Sequence, residues 1–184
     1  MPGIDLKVTI EDKELKRSLR EMELRGKNLT PFLKKAQVVM TRSFALNFKN
    51  EGRPNRWKQL SPNTVAGRRK GSKRILQDKG RLRMSTLSKS AQGNITHFSK
   101  DSLKMGSRLK IAPFHQYGTR PYTIVPRNAK ALSFMTAGGR IFAKRVKHPG
   151  LNARPFVMIQ REDEETLMKA ALDHMTEEKH GAPY

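Results

Sequence analysis

Polar and apolar positions alternate at the start of the chain. Ile4, Leu6, Val8 and Ile10 share one side of the alternation, which predicts a half-buried strand with one face inward. From Asp12 the period lengthens, placing Leu15, Leu19 and Met22 at helical spacing. Seven basic and six acidic residues between Asp5 and Lys27 nearly cancel, so this short helix reads as a solvated face rather than a site. Thr30-Pro31 is a strong helix start, because a Thr side chain accepts from first-turn amides and Pro at the first helical position loses no hydrogen bond. Phe32, Ala36, Val39, Met40, Ser43, Phe44, Asn47 and Phe48 then follow one face until Gly52. This is the best helix in the chain, and its Met and Phe stripe predicts core or subunit interface.

Ser61-Pro62 repeats the cap-then-proline signal and predicts a third, short helix running to about Arg69. Trp57, just before it, reads as an anchor that packs the loop on the core. Arg68, Arg69, Lys70, Lys73 and Arg74 surround Gly71 and Ser72 with hardly an apolar anchor, which predicts a flexible basic loop over about 66–74. Ile95 and His97, then Leu103 and Met105, predict a hairpin across Ser99–Ser102. Three short apolar runs follow, Tyr122–Val125, Leu132–Met135 and Ile141–Val146, separated by Gly and Pro punctuation that belongs to strands and turns. Leu167, Ala170, Ala171, His174 and Met175 share one face of an acidic helix over about 160–179.

These elements predict one α+β domain spanning 1–184. An antiparallel sheet, made of the N-terminal strand and the strands after residue 92, is packed by the long helix, with a short N-terminal helix beside it and the acidic C-terminal helix at an edge.

Charge changes the picture more than size does. A formal charge of +22 exceeds what solubility requires, so a polyanionic neighbour is expected: nucleic acid, an acidic protein surface or an anionic membrane. The surplus is concentrated, with 12 basic and 2 acidic residues from Lys49 to Arg83, and 12 basic residues against Asp101 alone from Lys100 to Arg154. Arg68, Arg69, Lys70, Lys73, Arg74, Arg81, Arg83, Arg140, Lys144, Arg145 and Lys147 are the candidates for contact with phosphate or an acidic partner. The chain has no cysteine, so thiolate metal sites and cysteine nucleophiles are excluded and a reducing compartment is expected. No stretch approaches the about 18 apolar residues a membrane span needs, and the charged N-terminus is unlike a signal peptide.

Catalytic patterns are sparse: there is no Walker loop, GxGxxG, HExxH or GxSxG. Asp5, Glu11, Asp12 and Glu14 are the carboxylates a Mg²⁺-dependent nuclease would require, yet neighbouring charges balance them. His115 and His148 flank the central strands, but 110–161 contains no Asp or Glu to complete a metal site. They read instead as turn residues, His115 beside Gly118 and His148 before Pro149-Gly150.

Several strings resemble one known family. Trp57-x-x-Leu60-Ser61-x-x-Thr64 precedes Ile75-Leu76-x-x-x-Gly80-x-Leu82; then come His115-Gln116-Tyr117-Gly118-Thr119, Lys130-Ala131-Leu132-x-Phe134, Phe142-x-Lys144-x-Val146-x-His148-Pro149-Gly150 and Ala153-Arg154-Pro155-Phe156. Together, from about Arg56 to Met158, they are similar to the phage virion morphogenesis (tail completion, or neck) family. The resemblance implies a non-enzymatic structural protein with no cofactor, assembled in the host cytoplasm into the virion. It implies a ring, most simply a hexamer, contacting other neck, connector or tail-tube proteins and passing DNA without reading its sequence, and no membrane. The alternative from charge alone is a nucleic-acid-binding protein outside any virion, although no RNP, KH or helix-turn-helix pattern is present.

Overall fold

The computed structural model describes residues 13–176, apart from the Arg69 side chain. The expected strand at Ile4–Ile10, three of the four candidate carboxylates (Asp5, Glu11, Asp12) and the last turn of the acidic helix lie outside them. The order is α1 (Lys13–Gly26), α2 (Thr30–Lys49), α3 (Pro62–Ala66), a single 3₁₀ turn (Arg69–Gly71), α4 (Arg81–Leu87), β1 (Asn94–Phe98), β2 (Leu103–Ser107), α5 (Ala112–Tyr117), β3 (Tyr122–Ile124), β4 (Leu132–Thr136), β5 (Gly139–Ala143), β6 (Val146–His148) and α6 (Arg161–Thr176). The fold is α+β, as expected.

Helix α2 is the spine. Its buried face carries Leu33, Ala36, Ser43, Phe44, Asn47 and Phe48, and it packs against α6 on one side and α4 on another. Its start differs in detail from the expectation: Thr30 is already helical, and the side chain serving its amide is Asn28, whose Oδ1 accepts at 3.1 Å. α3 follows the sequence signal closely, since Ser61 Oγ accepts from the Thr64 amide at 3.2 Å and Pro62 opens the helix. It ends at Ala66, short of Arg69.

Beyond α2 lies the core cluster of Phe48, Trp57, Ile75, Leu76, Leu82, Ala112 and Phe156. Trp57 meets Phe48 edge to face with ring centroids 6.0 Å apart, and Phe156 meets it at 5.7 Å. Trp57 is thus the anchor its position suggested.

A buried polar node joins α6 to α2. Asp163 accepts from Ser43 Oγ and, at 2.9 Å, from the Gln160 amide. Arg53 closes the node by donating to Asn47 Oδ1 at 2.9 Å, Ser43 Oγ at 2.8 Å and Glu162 at 2.7 Å. At the other end of α6, the buried His174 places Nε2 3.3 Å from the Arg25 carbonyl and 3.2 Å from that of Asn28. The acidic helix therefore docks on its own chain through Asp163, Glu162 and His174, and of these apolar periodicity marks only His174.

Among the described residues the strands do not merge into the single sheet expected from sequence. They form three two-stranded antiparallel ladders, β1 with β2, β3 with β6, and β4 with β5. The expected run Ile141–Val146 breaks after Ala143 into β5 and β6. Pairing Tyr122 with His148 encloses the pairing of Leu132 with Ala143, so β4–β5 is a hairpin nested within the β3–β6 ladder. Each strand among the described residues pairs on one side only, and at three to five residues the open edges are short.

Candidate polyanion-binding surface

The family-like strings come together in space. Gln116 of α5 holds the 156–157 backbone with both ends of its amide: Oε1 accepts from the Phe156 amide at 3.1 Å and from Val157 at 3.2 Å, while Nε2 donates to the Val157 carbonyl at 2.9 Å. The Arg154 amide donates to the His115 carbonyl at 2.7 Å, and Thr119 and Leu151 bond to one another through backbone and hydroxyl. Two glycines permit this approach. Gly118 has φ 76° and a Cβ there would lie 2.6 Å from the Leu151 carbonyl; Gly150 has φ 89° and a Cβ would lie 2.3 Å from that of Thr119. Pro149 and Pro155 flank this joint in sequence, while Tyr117 at its edge is 80% exposed.

His148 has a structural place. Its ring stacks on Tyr122 with centroids 4.8 Å apart, and Nδ1 accepts from the Gly150 amide at 3.0 Å. His115 lies on α5, an element the sequence did not predict, rather than in the turn itself. Among the described residues no group of three or more His, Cys, Asp or Glu is placed to hold a metal ion, and Glu14 is exposed on α1.

The basic candidates separate into distinct groups. Arg74 and Arg83 line an open cleft of about 590 Å³ beside the C-terminal half of α2, together with Arg42, Lys49 and Arg56. Glu51 is the only acid lining it, and its Oε1 already accepts from the Ile75 amide at 2.8 Å. Among the described residues none of the five cations makes an ion pair. Lys49 sits in the last turn of α2, where it complements the helix dipole. The other four have no such local reason. Arg42, Lys49 and Arg56 were not nominated from sequence; only the fold sets them opposite Arg74 and Arg83.

Arg68 is not a free charge on a loose loop. Its Nη1 donates to the carbonyls of Ser72 and Arg74, folding the 68–74 segment over itself. Lys70 and Lys73 remain exposed, and the Arg69 backbone begins the 3₁₀ turn. Arg81 lines a separate pocket with Arg68, Lys79 and His115, so Arg81 and Arg83 of one short helix serve different cavities. Arg140, Lys144, Arg145 and Lys147 are exposed on β5, the corner after it and β6. Their neighbour Phe142 is 70% exposed, and Met135 and Ile141 are each 42% exposed. Arg140 donates to Ser133 Oγ at 3.1 Å across the hairpin, and the hairpin tip is tied to α3 by the Ala137 amide donating to Asn63 Oδ1 at 3.0 Å.

Trp57, Ile75, Leu82 and Phe156 are buried in the core and Leu60 packs at its edge; Gly80, with φ 71°, immediately precedes α4. Most of the family-like residues therefore build the frame, while the cations lie on it. No helix among the described residues is long and apolar enough to cross a membrane. No curated protein and no solved structure matches the chain. The family model described as "Phage virion morphogenesis family" does match, over residues 10–176. That range takes in α1, α2 and α6 as well as the strings between Arg56 and Met158, and the chain belongs to the phage virion morphogenesis family.

Proposed function

We propose that this protein is a structural component of the neck of a tailed phage, forming a ring that completes the tail or joins head to tail around the DNA passage. Family membership supplies the coarser statement, a role in phage virion assembly. The observation that carries the finer one is the nested β4–β5 hairpin, a two-stranded ribbon with Phe142, Ile141 and Met135 uncovered and Arg140, Lys144, Arg145 and Lys147 around them. An isolated two-stranded ribbon is marginal in water and gains stability by packing on something else. A neighbouring copy would cover it and close a ring. The five-cation cleft supports contact with passing phosphates or with an acidic face of an adjoining neck, connector or tail-tube protein. On this reading the protein works by contact rather than catalysis and needs no cofactor.

Sedimentation velocity and electron microscopy of the full chain, alone and with tail tubes, test the proposal. Closed rings of uniform size, most simply hexamers, are expected, and Phe142→Asp should reduce them to folded monomers. A monomer under both conditions would overturn the ring. A tight complex preferring one DNA sequence would favour a nucleic-acid-binding role outside the virion.

A further inference from the structure

The strongest unexplained feature lies away from the five-cation cleft. Arg68, the 76–82 segment and α5 enclose a pocket of about 250 Å³. Arg68, Lys79, Arg81 and His115 line it, Leu76 and Ile111 supply an apolar wall, and Asp78 is its only acid. Against His115 sits Arg154, 7% exposed. Its Nη2 donates to the Lys58 carbonyl at 2.9 Å. Its Nε and the His115 Nδ1 are both buried with no hydrogen-bond partner.

The electrostatics run one way. Burial, then the guanidinium groups of Arg154 and Arg68, hold the His115 imidazole below its ordinary pKa. Burial and Arg68 likewise lower that of Arg154, with no carboxylate acting on it in the opposite sense. A buried guanidinium is costly when no anion faces it. Arg154 stands behind His115 rather than in the lining, so an anion entering the pocket offsets the repulsion among Arg68, Lys79 and Arg81 directly and that on Arg154 across His115.

We propose that this pocket is a carboxylate socket, which receives an Asp or Glu side chain presented on a protruding acidic segment of a partner protein. Arg68, Lys79 and Arg81 meet the carboxylate, and Leu76 and Ile111 cover its hydrocarbon stem. Two features select this ligand over DNA phosphate. The pocket is small for a strand of a duplex, and its apolar wall of Leu76 and Ile111 suits a methylene stem. The socket does not depend on the neck reading; it is a property of the chain itself.

The test uses the full chain and propionate, a single carboxylate on a short stem. At constant ionic strength, proton NMR follows the imidazole resonances against pH, with His115 assigned by comparison with His115→Gln. Propionate should raise the His115 titration midpoint saturably, through electrostatic relief, while exposed His97 on β1 stays put. Lys79 and Lys79's neighbour Arg81 are respectively exposed and at the start of α4, so Lys79→Ala/Arg81→Ala should fold and bind propionate at least about tenfold more weakly, a loss of about 1.4 kcal/mol. An unmoved His115, an equal response in the double variant, or a larger His115 shift from inorganic phosphate or a DNA oligonucleotide would each overturn the assignment.

Discussion

Phe44 and Phe48 are 1% and 0% exposed within one chain, and this decides what a charge at either position would do. A carboxylate placed there has no water and no cation arranged for it, and costs of 4–5 kcal/mol or more belong to such substitutions. Phe44→Asp should therefore unfold the chain rather than dissolve a ring into folded monomers, giving a flat near-ultraviolet dichroism spectrum where the parent shows a structured one. His115 carries a second residue-scale consequence. Its folded pKa lies below the ordinary imidazole value of 6.5, so between the two the unfolded chain binds more protons. Stability should fall as pH drops through the window just under that value and be indifferent to this group above it. The thermal midpoint of His115→Gln, followed against pH beside the parent, should lack that component of the decline.

Among the elements, the basic loop is where folded geometry changes the meaning of a composition. Lys70 and Lys73 are exposed, and replacing both by Ser should leave stability within about 0.5 kcal/mol. Arg68 holds two carbonyls of its own segment, and hydrogen bonds from charged donors contribute about 1.5–3 kcal/mol. Arg68→Ser should lower the unfolding free energy measured by urea titration toward the low end of that range, discounted for the solvent that reaches a half-buried side chain. Equal behaviour of the two variants would show that the loop is held by other means. The C-terminal helix makes the complementary point: most of its acids are exposed, while the buried Asp163 and His174, with Glu162 on Arg53, hold it to the body.

At the scale of the whole molecule, chains carrying +22 each repel one another, so the proposed ring requires compensating anions, and DNA phosphate or acidic neighbours are the expected source. The cleft of Arg42, Lys49, Arg56, Arg74 and Arg83 is where duplex DNA should touch. Each phosphate neutralised contributes about 0.9 to the slope of log affinity against log salt. Arg56→Ala/Arg74→Ala/Arg83→Ala should reduce that slope by roughly 3 in fluorescence anisotropy with random-sequence duplex, without altering the melting curve. An unchanged slope would place the DNA contact elsewhere, with the exposed cations of β5 and β6 the next surface to vary.

Local signals were enough for whatever depends on local geometry. The Phe44 and Phe48 stripe gave α2 its buried face, Ser61-Pro62 gave α3 its cap, and the Ser99–Ser102 turn joined β1 to β2 because capping, periodicity and turn chemistry act within a few residues. The family strings were readable for the same reason, and they turned out to build the joint between α5 and the 150–157 segment. Helices α4 and α5, of seven and six residues, are too short for a period to declare itself and exist because Leu82 and Ala112 are buried in the core. The three separate ladders, the two cavities served by Arg81 and Arg83, and the cleft that joins Arg42 to Arg83 were decided by tertiary structure alone. Strand partners and converging charges are set by contacts distant in sequence, and nothing in the spacing of residues along a chain records which surfaces will face each other.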